Sequence, residues 1–408
     1  MAIKQLLVLI IATLLTVSCQ IETSESLATV PTTQPPTATI NLPTLTATPS
    51  NTPSIINTTL PPPTTAPIQT ATAVPETIPS PQVTTTPEQP EGFIGPYHFP
   101  ENTNPLTGEV VQPDMLDQRP LAIKISNYPP LVRPQWGLNS ADLVFEHYAE
   151  GGVTRFTAVF YSQQAEQVGS IRSGRLIDIE IAQMYDAAFA YSGSSGPVRE
   201  MYRDSNFFER IISPDFGHGG FERIPDGDKA FEHTLFTNTY TLHYLLEQRQ
   251  QDTPPSFATN MAFSPQPPTN GTAVNQIEIR YRGTNAYWYY QSGTNHYLRW
   301  TDGEPHIDAL TETQLNFRNI IVLGANHVDT EILEDFVGGG NYSIQIQLWG
   351  EGPVSIFRDG QRFEGQWRRS SPEHMLTLYD LEGNLLPLAP RHCFFQIVPL
   401  GFDGLNVS

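Results

Sequence analysis

Residues 21–90 constrain this chain more than any other stretch: they hold 15 Pro and 20 Thr and not one Phe, Trp, Tyr, Lys or Arg. Such a segment buries too little apolar surface to offset the roughly 1–2 kcal/mol per residue that backbone ordering costs, so it reads as an extended, solvated stalk. If wholly polyproline II, seventy residues at about 3.1 Å each reach on the order of 200 Å. The globular fold must therefore come from the remaining C-terminal part of the 408 residues, where aromatics return at Phe93.

The stalk follows a secretory leader. Lys4 precedes the apolar run Leu6 to Leu15, which is too short to span a bilayer, and small or polar residues lead to Cys19. The junction Leu15-Thr16-Val17-Ser18-Cys19 resembles a bacterial lipobox, so Cys19 is the expected lipidation site and the membrane partner is reached through a lipid. The other cysteine, Cys393, sits in an apolar run and reads as a buried thiol, leaving no disulfide pair. A net charge of −20 disfavours nonspecific binding to nucleic acid or anionic lipid. Lysines are only Lys4, Lys124 and Lys229, so nearly every cation is an arginine, the side chain suited to bidentate, partly buried pairing.

Hydrophobic periodicity divides the rest. Residues 1–19 are the leader, 20–92 the stalk, 93–251 a mixed α/β part, 252–276 a Pro-rich bridge and 277–408 a mostly β part. The fold class expected is α+β, with layered sheets and helices in the first part. Leu121, Ile123 and Ile125 alternate with Ala122, Lys124 and Ser126 as a half-buried strand. Strands are expected over 141–148 and 155–162, joined through Glu150-Gly151-Gly152. Helices are expected over 172–185, capped by Ser173 with Leu176, Ile179 and Gln183 on one side, and over 239–249; a third starts at Pro197 after a Ser195 or Gly196 cap. Beyond 276 about eight strands are expected. They include a hairpin around Ser292-Gly293-Thr294-Asn295 and one at Asp359-Gly360.

Several motifs in order then carry a resemblance. Asn104-Pro105-Leu106-Thr107-Gly108, Arg133-Pro134-Gln135, Ala141-Asp142-Leu143-Val144-Phe145-Glu146, Glu150-Gly151-Gly152-Val153-Thr154-Arg155 and Arg172-Ser173-Gly174-Arg175 resemble the first part of the YerB-like family of bacterial lipoproteins, a two-part domain of unknown function. Tyr297-Leu298-Arg299-Trp300-Thr301-Asp302-Gly303, Phe357-Arg358-Asp359-Gly360 and Gly365-Gln366-Trp367 resemble its second part. The chain departs at Ser126-Asn127, where the family has Asp-Asn. The resemblance implies a mixed α/β body in an envelope lipoprotein and names no cofactor.

The richest chemical cluster is Asp142, Glu146, Glu150, Arg155, Arg172 and Arg175. Asp142 and Glu146 share one strand face, and Arg172 and Arg175 sit three apart on an expected first helical turn, so carboxylates and arginines can form opposite walls of a ligand pocket. The competing reading is an internal network pinning the fold. Candidate acid/base groups are Glu146, Glu150, His147 and His218. No zinc spacing, complete calcium loop, Walker loop or dinucleotide fingerprint occurs, so no metal or cofactor is expected. Gly193-Ser194-Ser195-Gly196 lacks the nucleophile-elbow spacing and reads as a strand-to-helix turn. The aromatic hairpin Tyr287-Trp288-Tyr289-Tyr290 with Tyr297 and Trp300 must put one set of rings in the core and the other at an interface or in solvent. The function expected is a non-enzymatic envelope binding or scaffold protein with an unidentified ligand or protein partner; the alternative is a hydrolase of an envelope polymer using paired carboxylates.

Overall fold

The computed structural model describes residues 88–227, 229–336 and 339–408. The leader, Cys19 and the stalk up to residue 87 lie outside the described residues, as does Asp228. Among those described, no helix is long and apolar enough to cross a membrane.

The body is α+β and predominantly β. Its principal strands are β1 (Leu121–Ser126), β2 (Leu143–Tyr148), β3 (Thr154–Phe160), β4 (Ala188–Ala190), β5 (Ile211–Ile212), β6 (Gln276–Arg280), β7 (Asn285–Gln291), β8 (His296–Thr301), β9 (Asn319–Asp335), β10 (Asn341–Gln347), β11 (Gly350–Arg358), β12 (Gln361–Arg369), β13 (Thr377–Asp380), β14 (Cys393–Pro399) and β15 (Leu405–Val407). The helices are α1 (Leu176–Met184), α2 (Gly196–Arg203) and α3 (Thr239–Gln248). One 12-stranded sheet runs β13-β12-β11-β9-β14-β2-β3-β1-β4-β5, with β10 added beside β9 and the short strand Thr272–Ala273 beside β12. Strands from both sides of residues 252–276 are neighbours in it, since β14 pairs in parallel with both β9 and β2. The 252–276 segment thus divides the sequence but not the sheet. A second, six-stranded sheet contains β8-β7-β6-β15.

Local pattern accounts for much of this. The β2–β3 hairpin places His147 opposite Arg155, and its turn holds Gly151 and Gly152 at φ 72° and 78°, where a side chain is strained. The Asp359-Gly360 hairpin joins β11 to β12 with both turn residues at positive φ, as a two-residue hairpin turn requires. Pro197 lies in the first turn of α2 after the Ser195 N-cap. The four-residue loop after Gln291 joins β7 and β8 in antiparallel register. Trp288 and Tyr297 are fully buried, Trp288 meeting Phe394 of the large sheet with ring centroids 4.8 Å apart, while Tyr289 and Trp300 pack edge to face on the outer side.

Three local expectations are corrected. β1 is buried on both faces, not half-buried, because it lies inside the sheet and Lys124 points to Asp178 of α1. α1 begins at Leu176 with Arg175 as N-cap, so Ser173 is no cap and Arg172 is not in a helical turn. The segment instead pairs by backbone: Arg172 N–H donates to Lys124 O, Ser192 N–H to Arg172 O and Gly174 N–H to Gly193 O. These tertiary bonds outcompete a first helical turn. The buried side of α1 is Leu176, Ile177, Ile181 and Met184 with Asp178 and Ala182, whereas Ile179 and Gln183 of the expected stripe are only partly covered. Strands after residue 276 also exceed the eight expected, the largest omission being β9 at 17 residues.

Candidate functional site

The predicted acids do not converge on one wall. Asp142 precedes β2, is 2% exposed and accepts from Asn104 Nδ2 (2.9 Å), Tyr161 N (2.6 Å), Ser162 N (3.0 Å) and Ser162 Oγ (2.5 Å). Burial raises its carboxyl above the ordinary value, and those donors pull it back. Among the described residues it has no ion-pair partner, and it fastens the Asn104-Pro105 lead-in to the sheet.

Glu146 lies between the two sheets, fully buried, 2.7 Å from Arg299 Nη2 of β8. Its other oxygen accepts from Asn127 Nδ2 (3.0 Å) and Thr154 Oγ1 (2.8 Å). Alternation sends the next residue, His147, to the opposite face. There His147 Nε2 lies 2.7 Å from Lys124 Nζ and its Nδ1 2.9 Å from Tyr148 O. Burial, then the Lys124 charge, hold the imidazole well below its ordinary value, so it is neutral, accepting from Lys124 and donating to the carbonyl. Burial also draws Lys124 down to about 8 against the pull of Asp178 at 2.8 Å.

Glu150, at the β2–β3 turn, accepts from Arg155 Nη2 (2.8 Å) and from both Arg175 Nε (2.5 Å) and Nη2. Burial alone would raise its carboxyl, but Arg155 and Arg175 outweigh that and hold it far below the carboxylate range. Burial, then the like charge of Arg175, draw Arg155 down to about 9. Glu334 of β9 completes the cluster, 3.5 Å from Arg175 Nη1 and accepting from Ser195 Oγ (3.1 Å) and Ser343 Oγ. Arg172 is partly covered, forms no ion pair among the described residues, and its Nε has no partner. His218 lies apart, its Nδ1 accepting from Ser213 N at 3.2 Å beside Phe216. Burial lowers it, and Arg249 adds to that. Ser194 Oγ is bound to Asp215 Oδ2 at 2.5 Å, with no histidine among its partners. Cys393 is buried and its thiol is raised by burial.

Sequence reasoning therefore found Glu150, Arg155 and Arg175 as a group but missed Arg299 and Glu334, which arrive from 153 and more than 150 residues away. No local pattern announces either. It also missed a cavity of about 530 Å³ lined by Tyr148, Gly152, Arg282, His327, Asp329 and Tyr342, among others. The parallel strands β2 and β14 end at it with Tyr148 and Pro399, and β9 reaches it just after Ala325, where its pairing with β14 stops. The crevice beyond the carboxyl ends of parallel strands is the usual place for a ligand in such sheets. Among the described residues no group of three His, Cys, Asp or Glu is arranged to hold a metal ion.

Two family models match in succession, the N-terminal domain of a protein of unknown function (DUF3048) over residues 106–252 and its C-terminal domain over residues 277–394. Together they span more than half of the chain, which belongs to this YerB-like family. It is 29% identical over 314 residues, 74% of this chain and 88% of the relative, to a Bacillus subtilis (strain 168) protein named "Putative lipoprotein YerB". The crystal structure of YerB protein from Bacillus subtilis superimposes with a TM-score of 0.62 at 25% identity, covering 75% of this chain and 99% of that one.

Proposed function

We propose that this protein is an extracytoplasmic lipoprotein, tethered through Cys19 and held off the membrane by the Thr/Pro stalk, whose body binds an envelope ligand without transforming it. The relative's name and the lipobox-like junction support the tether. The observation that carries binding is the cavity at the strand ends, whose His327 Nε2 is buried without a hydrogen-bond partner and whose Arg282 forms no ion pair among the described residues. Groups left unsatisfied beside an open cavity are what a ligand can satisfy. The Arg/carboxylate cluster supports this role as a clamp: Glu150, Arg155, Arg175 and Glu334 tie the β2–β3 turn, the α1 N-cap, the α2 N-cap and the β9–β10 ribbon beside the cavity.

Hydrolysis by paired carboxylates has less support. A general acid needs a carboxyl raised toward neutrality and open to substrate, whereas Glu150 is depressed and Glu146 is enclosed with Arg299. Purified body (residues 88–408, retaining every described element) is screened by thermal shift against soluble wall fragments, with product analysis of each mixture. The expected result is a ligand that raises the melting temperature, loses its effect in Arg282→Ala, and is recovered intact. Turnover abolished by Glu146→Gln or Glu150→Gln would reverse the assignment.

A further inference from the structure

We infer that the cavity ligand is a small zwitterion, an ammonium and a carboxylate on one scaffold as in a short peptide. This rests on the binding reading above and adds the ligand's chemical class.

His327 and Asp329 are two apart on β9 and both line the cavity. Residues two apart on a strand share a face. Burial lowers His327 below its ordinary value, so the ring is neutral; its Nδ1 lies 3.0 Å from Ala325 O and must carry the proton to donate there. Nε2 is then a lone-pair acceptor, buried and without a donor. The Asp329 carboxylate beside it is exposed and forms no ion pair among the described residues. A carboxylate and a neutral imidazole acceptor on one face present acceptors only, which suits an ammonium with its three donors and no lone pair.

The cation of the cavity comes from a different element. Arg282 follows β6, its backbone N–H donating to Tyr148 Oη at 3.1 Å. Its side chain runs along Gly152, where an added Cβ would lie 3.1 Å from Arg282 Cβ and 3.4 Å from Nε. The guanidinium is exposed and has no acid partner among the described residues, so its fork is available to a carboxylate. Arg282 and Asp329 thus line one cavity as opposite charges that do not pair with each other. A ligand bearing both complementary charges satisfies both. A simple anion would leave Asp329 facing it and would enter against the field of a chain with net charge −20, whereas a zwitterion carries no net charge against that field. The rings of Tyr148 and Tyr342 supply apolar wall for the scaffold between its charged ends.

The test is calorimetric titration of the full-length protein with alanyl-alanine and tyrosyl-alanine, each also in its N-acetylated and its C-amidated form. The free dipeptide is expected to bind, and each capped form to bind at least tenfold more weakly. Arg282→Ala is expected to restrict its loss to the carboxylate end and Asp329→Ala to the ammonium end. In a double cycle, N-acetylation should then cost less in Asp329→Ala than in the wild type, what remains being the ammonium's bond to His327 Nε2. Both residues are exposed, so the unliganded melting temperature should stay at the wild-type value. Equal binding of the capped forms, or undiminished binding to Asp329→Ala, overturns the inference. If dipeptides fail while a neutral wall saccharide binds with sensitivity to Arg282→Ala, the zwitterion is wrong and the cavity reading stands. If neither dipeptide nor saccharide binds, both fall.

Discussion

The Glu146–Arg299 pair joins the two sheets, and removing its cation tests how this body is held together. Both side chains are fully buried at 2.7 Å. Arg299 also reaches Thr301 Oγ1 and His306 Nδ1 at 3.1 Å each, and its guanidinium carbon lies 4.9 Å from the Phe394 ring and 5.2 Å from the Trp288 ring. At an effective dielectric of about 20, unit charges near 4 Å attract by about 4 kcal/mol. Arg299→Met keeps the stem's bulk between those rings but leaves Glu146 as a buried carboxylate with only Asn127 and Thr154 as donors. The expected cost is about 3–5 kcal/mol, the range for breaking a buried pair from one side. Glu146→Gln on its own should cost a comparable amount, since its amide oxygen still accepts from Asn127 and Thr154 but Arg299 is left buried without its anion, facing an amide NH2. The double variant Glu146→Gln with Arg299→Met should recover part of the loss, because no uncompensated charge is left buried. Urea unfolding followed by tryptophan fluorescence and far-UV circular dichroism measures this as a fall in midpoint with the slope unchanged. A cost below about 1 kcal/mol for Arg299→Met, or a double variant as unstable as the sum of the singles, would refute the reasoning.

Glu150→Gln should destabilise the body by about 3 kcal/mol at pH 7 by leaving Arg155 and Arg175 uncompensated. Because the folded carboxyl is depressed, the wild-type advantage is present above the unfolded value of about 4.3 and shrinks as pH falls below it, which urea midpoints across pH 2.5–7 will follow. Lys124→Met should cost about 3–5 kcal/mol at neutral pH, since Asp178 is then buried without its cation. In the wild type, Lys124 at about 8 folded against about 10.4 unfolded makes stability rise with pH across that window, an increment Lys124→Met should lack in midpoints measured from pH 7 to 10.5. Gly365→Ala places a Cβ 2.0 Å from Tyr379 O across the β12–β13 pairing, and should cost about 2 kcal/mol with lost amide protection in Thr377–Asp380. Cys19→Ala should move the full-length protein from the detergent phase to the aqueous phase in detergent partitioning; unchanged partitioning would remove the lipid tether.

Sequence alone determined what depends on neighbours along the chain. Alternation located β1, the strand expected over 141–148 located β2, glycines at the β2–β3 turn and the Asp359-Gly360 hairpin located connections, and Pro197 located the start of α2. The motifs in order placed the chain in its family. The Thr/Pro composition of residues 21–90 marks them as an expected stalk outside the described body, since burial capacity is a property of composition. The grouping of Glu150 with Arg155 and Arg175 was also legible, because the acid and one arginine flank a single tight turn.

Tertiary structure decided everything that depends on which strand lies beside which. Lys124 sits at a position that alternation assigns to the polar face, yet it is fully buried because α1 brings Asp178 over it. Arg299 pairs with Glu146 and Glu334 with Arg175 from the other half of the chain, partners that alternation and spacing do not reveal. The cavity exists only because β2 and β14 end side by side where β9 leaves the sheet to pair with β10, and no segment of sequence encodes a space between strand ends. Propensity and alternation act over a few residues, while the pairing of a charge is settled by contacts across more than a hundred.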